Sequence, residues 1–185
     1  MEKRQQIKLS IVFLNFNRLA ETRYTVERLL EMTAGRSDLE IIAVDNNSED
    51  GTAEYLENQG AIQTVLLPDN GGIAGYNEGF KQAQGDYILV LDDDSCPADV
   101  KTLDLLIELL DQNPQIGVLA CHIETPAGVP QWQWHLPQEH CFAISPFFIG
   151  CGFAIRRQLF EKIHWYPESF FIYQNEIDVS FKVRV

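Results

Sequence analysis

The chain has 185 residues, 45% of them apolar and 22% charged, with a formal net charge of −13. That length suits one domain with a substantial core and is short for two. The acidic balance excludes a sequence-independent binder of nucleic acid, which needs a basic face to displace counterions, so an anionic ligand must be recruited through a metal or backbone N–H groups.

The opening MEKRQQIK is charged, and the apolar run Leu9 to Leu14 behind it is too short for a signal peptide or a membrane span. The expectation is a cytoplasmic protein, with association at the inner face of a membrane left open. Cys96, Cys121, Cys141 and Cys151 lack metal-binding spacing and read as reduced core thiols.

Ile7 to Phe13 reads as a buried first strand, followed by the polar turn Asn15 to Arg18. Glu21 to Met32 carries apolar residues at helical spacing and stops at Gly35. Leu39 to Val44 is a second strand, and in the DNNSEDGT that follows, Ser48 or Asp50 can cap a helix over Thr52 to Asn58. Ile62 to Leu67 is a third strand. The glycine-rich DNGGIAGYNEG from Asp69 then leads into a helix over Ile73 to Gln84, which Gly85 ends. This alternation predicts an α/β fold with a mostly parallel, doubly wound sheet and right-handed crossovers.

Tyr87 to Leu91 is the fourth strand, and it runs into Asp92, Asp93 and Asp94. Three adjacent carboxylates cannot be buried without compensation. If the extended geometry lasts, Asp92 and Asp94 point one way and Asp93 the other. Two oxygen ligands on one side at a strand end suit Mg²⁺ or Mn²⁺ with positions left for phosphate oxygens. A solvated acidic turn is the competing reading.

Beyond Pro97 the pattern predicts a helix over Val100 to Asn113 and a strand over Gly117 to His122. An irregular stretch follows from Pro126 to Pro146, with an edge strand at Val129 to Trp134. Next come a strand or strand pair over Phe147 to Ile155, a helix over Arg157 to Ile163, and a helical segment from Phe170 to Val185. The sequence stops inside that segment without a cap, which predicts a longer parent protein.

Six stretches in this order, LSIVFLNFNR, VDNNSEDGT, DNGGIAGYNEGFKQAQG, YILVLDDDSCP, FFIGCGFAIRRQLFEKI and FFIYQNEIDVSFKVR, resemble the inverting, metal-dependent family 2 glycosyltransferases, particularly the rhamnosyl and galactofuranosyl types. The resemblance implies a three-layer α/β/α GT-A domain over residues 7–185, with a nucleotide-binding half at 1–98 and an acceptor-side half at 99–185. It implies transfer, with inversion, from a UDP- or dTDP-sugar to a carbohydrate or lipid-linked acceptor, as in cell-surface polysaccharide biosynthesis.

Asp45 would then accept the ring N–H of uracil or thymine, with Asn17 and Asn47 beside it, unless it merely caps the next helix. Asn70, Gly71, Gly72, Gly75 and Asn77 resemble the sugar-nucleotide loop, where a plain strand-to-helix turn is the alternative. Asp92 and Asp94 match the metal motif, with Asp92 and Asp93 also facing the donor. Glu176 matches the general base and Asp178 is the runner-up, because the two lie about 200° apart on a helix. Asn175 departs from the acidic residue the family carries there. A sugar nucleotidyltransferase would want a basic glycine-rich loop after the first strand, and LNFNRLAE lacks one. A non-catalytic carbohydrate-binding domain would use Trp132, Trp134 and Trp165 as stacking platforms.

Overall fold

Strands buried on both faces read as unbroken apolar runs, and such runs build the sheet at the centre of this protein. The computed structural model describes residues 6–131 and 143–184. Its strands are β1 (Leu9–Asn15), β2 (Leu39–Asp45), β3 (Gln63–Leu66), β4 (Tyr87–Asp92), β5 (Val118–Ala120) and β6 (Phe153–Arg156), in the order β3-β2-β1-β4-β6-β5. The first four are parallel. β6 lies antiparallel to both β4 and β5, so the doubly wound pattern ends at β4.

Alternation along the strands divides the core in two. Leu9, Ile11, Phe13, Leu89 and Leu91 face α1 (Leu19–Thr33), α2 (Thr52–Glu57) and α4 (Val100–Gln112). Val12, Ile42, Val44, Ile88 and Val90 face α3 (Tyr76–Gln82), α5 (Arg157–Lys162) and α6 (Asn175–Lys182). The result is the expected three-layer α/β/α arrangement. On the second face, Phe80 has its ring centroid 4.8 Å from Phe160, 5.4 Å from Tyr166 and 5.8 Å from Trp165. Trp165 is thus packed into an aromatic cluster and is no free stacking platform.

Several boundaries move for local reasons. The helix expected from Ile73 begins as a 3-10 turn, Gly72–Gly75, before α3. The strand expected over Phe147 to Ile155 shrinks to β6, after Gly152 turns with φ +69°. The helix expected from Phe170 starts only at Asn175, because Tyr173 and Gln174 both adopt left-handed backbone, φ 66° and 65°. Of the edge strand expected at 129–134, an isolated antiparallel bridge joins Pro130 to Glu124; residues 132–134 lie outside the described residues, as does Cys141. Cys96, Cys121 and Cys151 are free thiols, and burial pushes Cys121 up to about 11. Among the described residues no helix is long and apolar enough to cross a membrane.

Arg36 pins α4 to the start of β2, with Nη2 2.8 Å from Asp38 Oδ2 and Nη1 2.8 Å from Asp104 Oδ1. The hydrogen bond from Arg36 holds the Asp38 carboxyl below its ordinary range. A depressed carboxyl stabilises the fold above its unfolded pKa of about 3.9 and loses that contribution as pH falls through the folded value. Arg36→Met is therefore expected to cost about 1 kcal/mol or less at neutral pH, since the pair is partly exposed. Chemical denaturation across pH should show that difference shrinking below about pH 4.

Candidate active site

The loops after β1, β2 and β4 meet at the C-terminal edge of the sheet, the first two bound to each other by side-chain-to-backbone hydrogen bonds and the third held to the first by Arg18. Asn17, in left-handed conformation with φ 53°, accepts the Glu49 N–H at 2.7 Å on its Oδ1 and donates its own N–H to Ser48 Oγ at 2.9 Å. Asp50 accepts from the Leu19 N–H at 2.9 Å and from the Thr52 N–H at 3.1 Å, so it serves the starts of both α1 and α2. Asn17 is thus part of the brace that shapes the crevice.

Asp45, only 1% exposed, accepts the Ser48 N–H at 2.8 Å on Oδ2, while Oδ1 has no partner among the described residues. The helix-capping alternative fails, because Asp50 serves α2. Asp45 closes its own turn and retains one unsatisfied buried acceptor, the kind of atom that seeks an N–H donor.

The glycine loop is organised by a residue that the sequence reading passed over. Asn46, 2% exposed, accepts the Gly71 N–H at 3.0 Å and donates to Asn70 Oδ1 at 2.8 Å and to the Gly72 carbonyl at 3.0 Å. Asn47, the residue singled out from sequence, is exposed and takes the left-handed turn position, φ 67°. Gly75 is needed for packing rather than for ligand approach: a Cβ there would lie 2.9 Å from Asn46 Oδ1 and 3.0 Å from Leu67 Cδ1. Gly72 combines φ +61° with the close approach of Phe171, whose carbonyl accepts the Ile73 N–H at 2.7 Å. Asn77 is a correction: its Nδ2 donates to the Tyr166 carbonyl at 3.0 Å and its Oδ1 accepts the Tyr166 N–H at 3.1 Å. Its amide is spent tying α3 to Tyr166.

The three aspartates separate differently from the expected alternation, because β4 ends at Asp92 and a turn begins at Asp93. Tyr76 Oη donates to the Leu91 carbonyl at 2.6 Å, with Asp92 Oδ1 a second acceptor at 3.2 Å. Asp93 and Asp94 instead share the guanidinium of Arg18, at 2.9 Å each. Asp92 remains exposed as a residue, but its carboxyl is crowded by Tyr76 and Cys151; that burial, and then the charge of Asp94, raise its pKa. Burial pushes Asp93 up to about 7, against the pull of Arg18. Burial and the charge of Asp92 push the Cys151 thiol up to about 12.

Three carboxylates face one guanidinium, and among the described residues Asp92 has no ion-pair partner. That surplus of negative charge fits a divalent cation, which Asp92 and Asp94 would hold. Two carboxylates alone make an incomplete coordination shell, which leaves positions for oxygen atoms of a ligand.

The helical carboxylates also divide. Asp178 Oδ2 lies 2.6 Å from Lys182 Nζ one turn along α6, an ion pair by distance though not aligned as a hydrogen bond. Glu176 is half-buried and its carboxyl has no described hydrogen-bond or ion-pair partner; a Cβ at Gly150 would sit 3.5 Å from its Oε2. Tyr166 joins this end to the strand-end aspartates. Its ring meets Tyr76 edge-on at 5.9 Å, and its fully buried hydroxyl, whose pKa burial raises well above the usual value, lies within the fields of both Asp92 and Glu176. That hydroxyl faces Asn175 Nδ2 without a well-formed hydrogen bond.

A profile of glycosyl transferase family 2 matches residues 10–179. The probable glycosyltransferase YdaM of Bacillus subtilis is 26% identical over 200 residues, covering 93% of this chain and 46% of that protein. Among solved structures, S. aureus TarS 1-349 in complex with UDP-GlcNAc superposes with a TM-score of 0.77 at 21% identity, covering 96% of this chain and 53% of that one. The mannosyltransferase PcManGT of Pyrobaculum calidifontis, in complex with GDP-Man and Mn²⁺, gives a TM-score of 0.73 at 19% identity, with 97% and 52% covered. The chain spans about half the length of these relatives.

Proposed function

The chain belongs to glycosyl transferase family 2 and has the GT-A fold, and on that premise we propose that it moves a hexose or related sugar from a nucleoside diphosphate to a hydroxyl of a carbohydrate or lipid-linked acceptor, with inversion. The observation that carries this reading is the convergence of Asp45, the Asn46-braced glycine loop and the carboxylates of Asp92 and Asp94 at one sheet edge, with Glu176, which has no partner among the described residues, acting with Asp92 on the buried Tyr166 hydroxyl. In this reading residues 1–98 hold the nucleotide and residues 99–185 shape the acceptor side. Assembly of cell-surface polysaccharide at the inner face of a membrane is the setting this chemistry suits.

Glu176 takes the proton from the acceptor hydroxyl as that oxygen attacks the anomeric carbon. The bond from that carbon to the diphosphate oxygen breaks, and its electron pair leaves with the diphosphate. Attack from the face opposite the leaving group gives inversion with a single base. Asp92 and Asp94 would hold a divalent cation, which when bound would supply positive charge to offset that of the leaving diphosphate. The free Oδ1 of Asp45 accepts the ring N–H of uracil or thymine, which favours a UDP- or dTDP-linked donor. TarS and PcManGT, solved in complex with UDP-GlcNAc and with GDP-Man and Mn²⁺, support the general class of donor and metal.

Thermal unfolding with UDP or dTDP tests this directly. With Mg²⁺ or Mn²⁺ present and nucleotide at about a hundred times its dissociation constant, stabilisation should reach about 2.7 kcal/mol. In EDTA it should vanish, because a bare diphosphate meets a site of net negative charge. Equal stabilisation with and without metal would overturn the metal-bridged donor.

A further inference from the structure

The only cation that meets the strand-end carboxylates among the described residues is Arg18, and its placement is unusually determined. The brace between the first two loops fixes the backbone on either side of it, through Asn17 and through the Leu19 N–H on Asp50. From that base the fork divides, Nη1 to Asp93 Oδ1 and Nη2 to Asp94 Oδ2, with Glu21 Oε1 3.8 Å from Nη2. The two halves are unequal. Asp93 has a side chain 8% exposed, whereas those of Asp94 and Arg18 are 47% and 43% exposed, so the Asp94 half faces the open crevice.

A divalent cation on Asp94 and the guanidinium on the same carboxylate repel each other at contact distance. Arg18 engages only Oδ2 of Asp94, and a cation arriving on that carboxylate weakens the Nη2 contact and favours its release. The vacated edge of a guanidinium matches phosphate oxygens, which it can bind in pairs.

We propose that Arg18 is an exchangeable counter-ion: it holds Asp94 while the donor site is empty, yields that carboxylate to the divalent cation, and turns its freed edge to the donor diphosphate. This rests on the metal and donor reading above. It makes Arg18 a positioning residue in the empty protein and a phosphate ligand in the loaded one. Metal and nucleotide then bind cooperatively, each raising the affinity for the other by the same factor.

The test is Mn²⁺ titration of the whole chain, with free Mn²⁺ read by paramagnetic resonance, with and without UDP. Without UDP, R18Q should bind Mn²⁺ about tenfold more tightly than the unmodified protein, because a competitor has been removed. With Mn²⁺ saturating, R18Q should bind UDP about tenfold more weakly, having lost a charged phosphate ligand. R18K, which keeps charge but not the fork, should fall between, and it carries the same comparison if R18Q fails to fold. Effects of opposite sign are the signature, since a residue that merely stiffened the loop would weaken both. Nucleotide-free Mn²⁺ affinity that is unchanged or weaker in R18Q, in a protein that still takes up Mn²⁺ with UDP, would overturn the counter-ion role alone. Failure of the unmodified protein to bind Mn²⁺ even with UDP would overturn the metal reading and this one with it.

Discussion

Glu176→Gln is expected to slow donor turnover, followed by release of nucleoside diphosphate in the presence of acceptor, by roughly 10²- to 10⁴-fold while nucleotide affinity stays nearly constant. Glutamine preserves the size and hydrogen bonding of the side chain but cannot take the acceptor proton. Asp178→Asn is the internal control. Asp178 is already committed to Lys182 at 2.6 Å, so its loss should cost a small fraction of that. Near-normal turnover in Glu176→Gln, together with an inactive Asp178→Asn, would move the base two residues along α6.

Asp94→Asn should produce the complementary defect. The metal-dependent stabilisation by UDP, about 2.7 kcal/mol at a hundredfold excess over the dissociation constant, should disappear. The fold itself should survive, because Asp94 is exposed and its removal relieves the crowding that raises Asp92. Binding lost with Asp94→Asn but kept with Glu176→Gln would separate donor capture from proton abstraction. A mutant that still binds UDP in a metal-dependent way would show that Asp94 is no metal ligand.

The layout was legible from sequence wherever one face or both faces of an element had to be buried. The strands up to β4 announce themselves as apolar runs, and α4 by Leu103, Leu106 and Leu110 at helical spacing; its cap, Asp99, which accepts the Thr102 N–H at 3.0 Å, came only with the structure. The strand-end position of Asp45 and Asp92 followed from the same runs. What sequence did not show is set by contacts between distant segments. Arg18 lies 75 residues from Asp93, and nothing in NFNR marks it as a partner of carboxylates. The choice between Asn46 and Asn47 depends on which way the chain turns after β2, and Asn77 faces inward on the backbone of Tyr166, 89 residues away. Tyr166 sits in a stretch, HWYPES, with no period to read. The antiparallel β6 follows an irregular connection, where neither crossover logic nor hydrophobic alternation applies.

Asn46 also bears on how such an enzyme can be re-engineered. Residues 69–75 look like a self-contained cassette that could be transplanted from a relative to change the sugar handled. Three of their hydrogen bonds, however, terminate on one amide just after β2, that of Asn46, which serves Gly71, Asn70 and Gly72 together. A graft that leaves a mismatched residue at position 46 strands up to three polar groups, at about 1–3 kcal/mol for each that becomes buried and unsatisfied. On the proposed reading the unit that shapes the donor side is therefore discontinuous, and a chimera whose crossover falls between residues 46 and 69 separates its two parts.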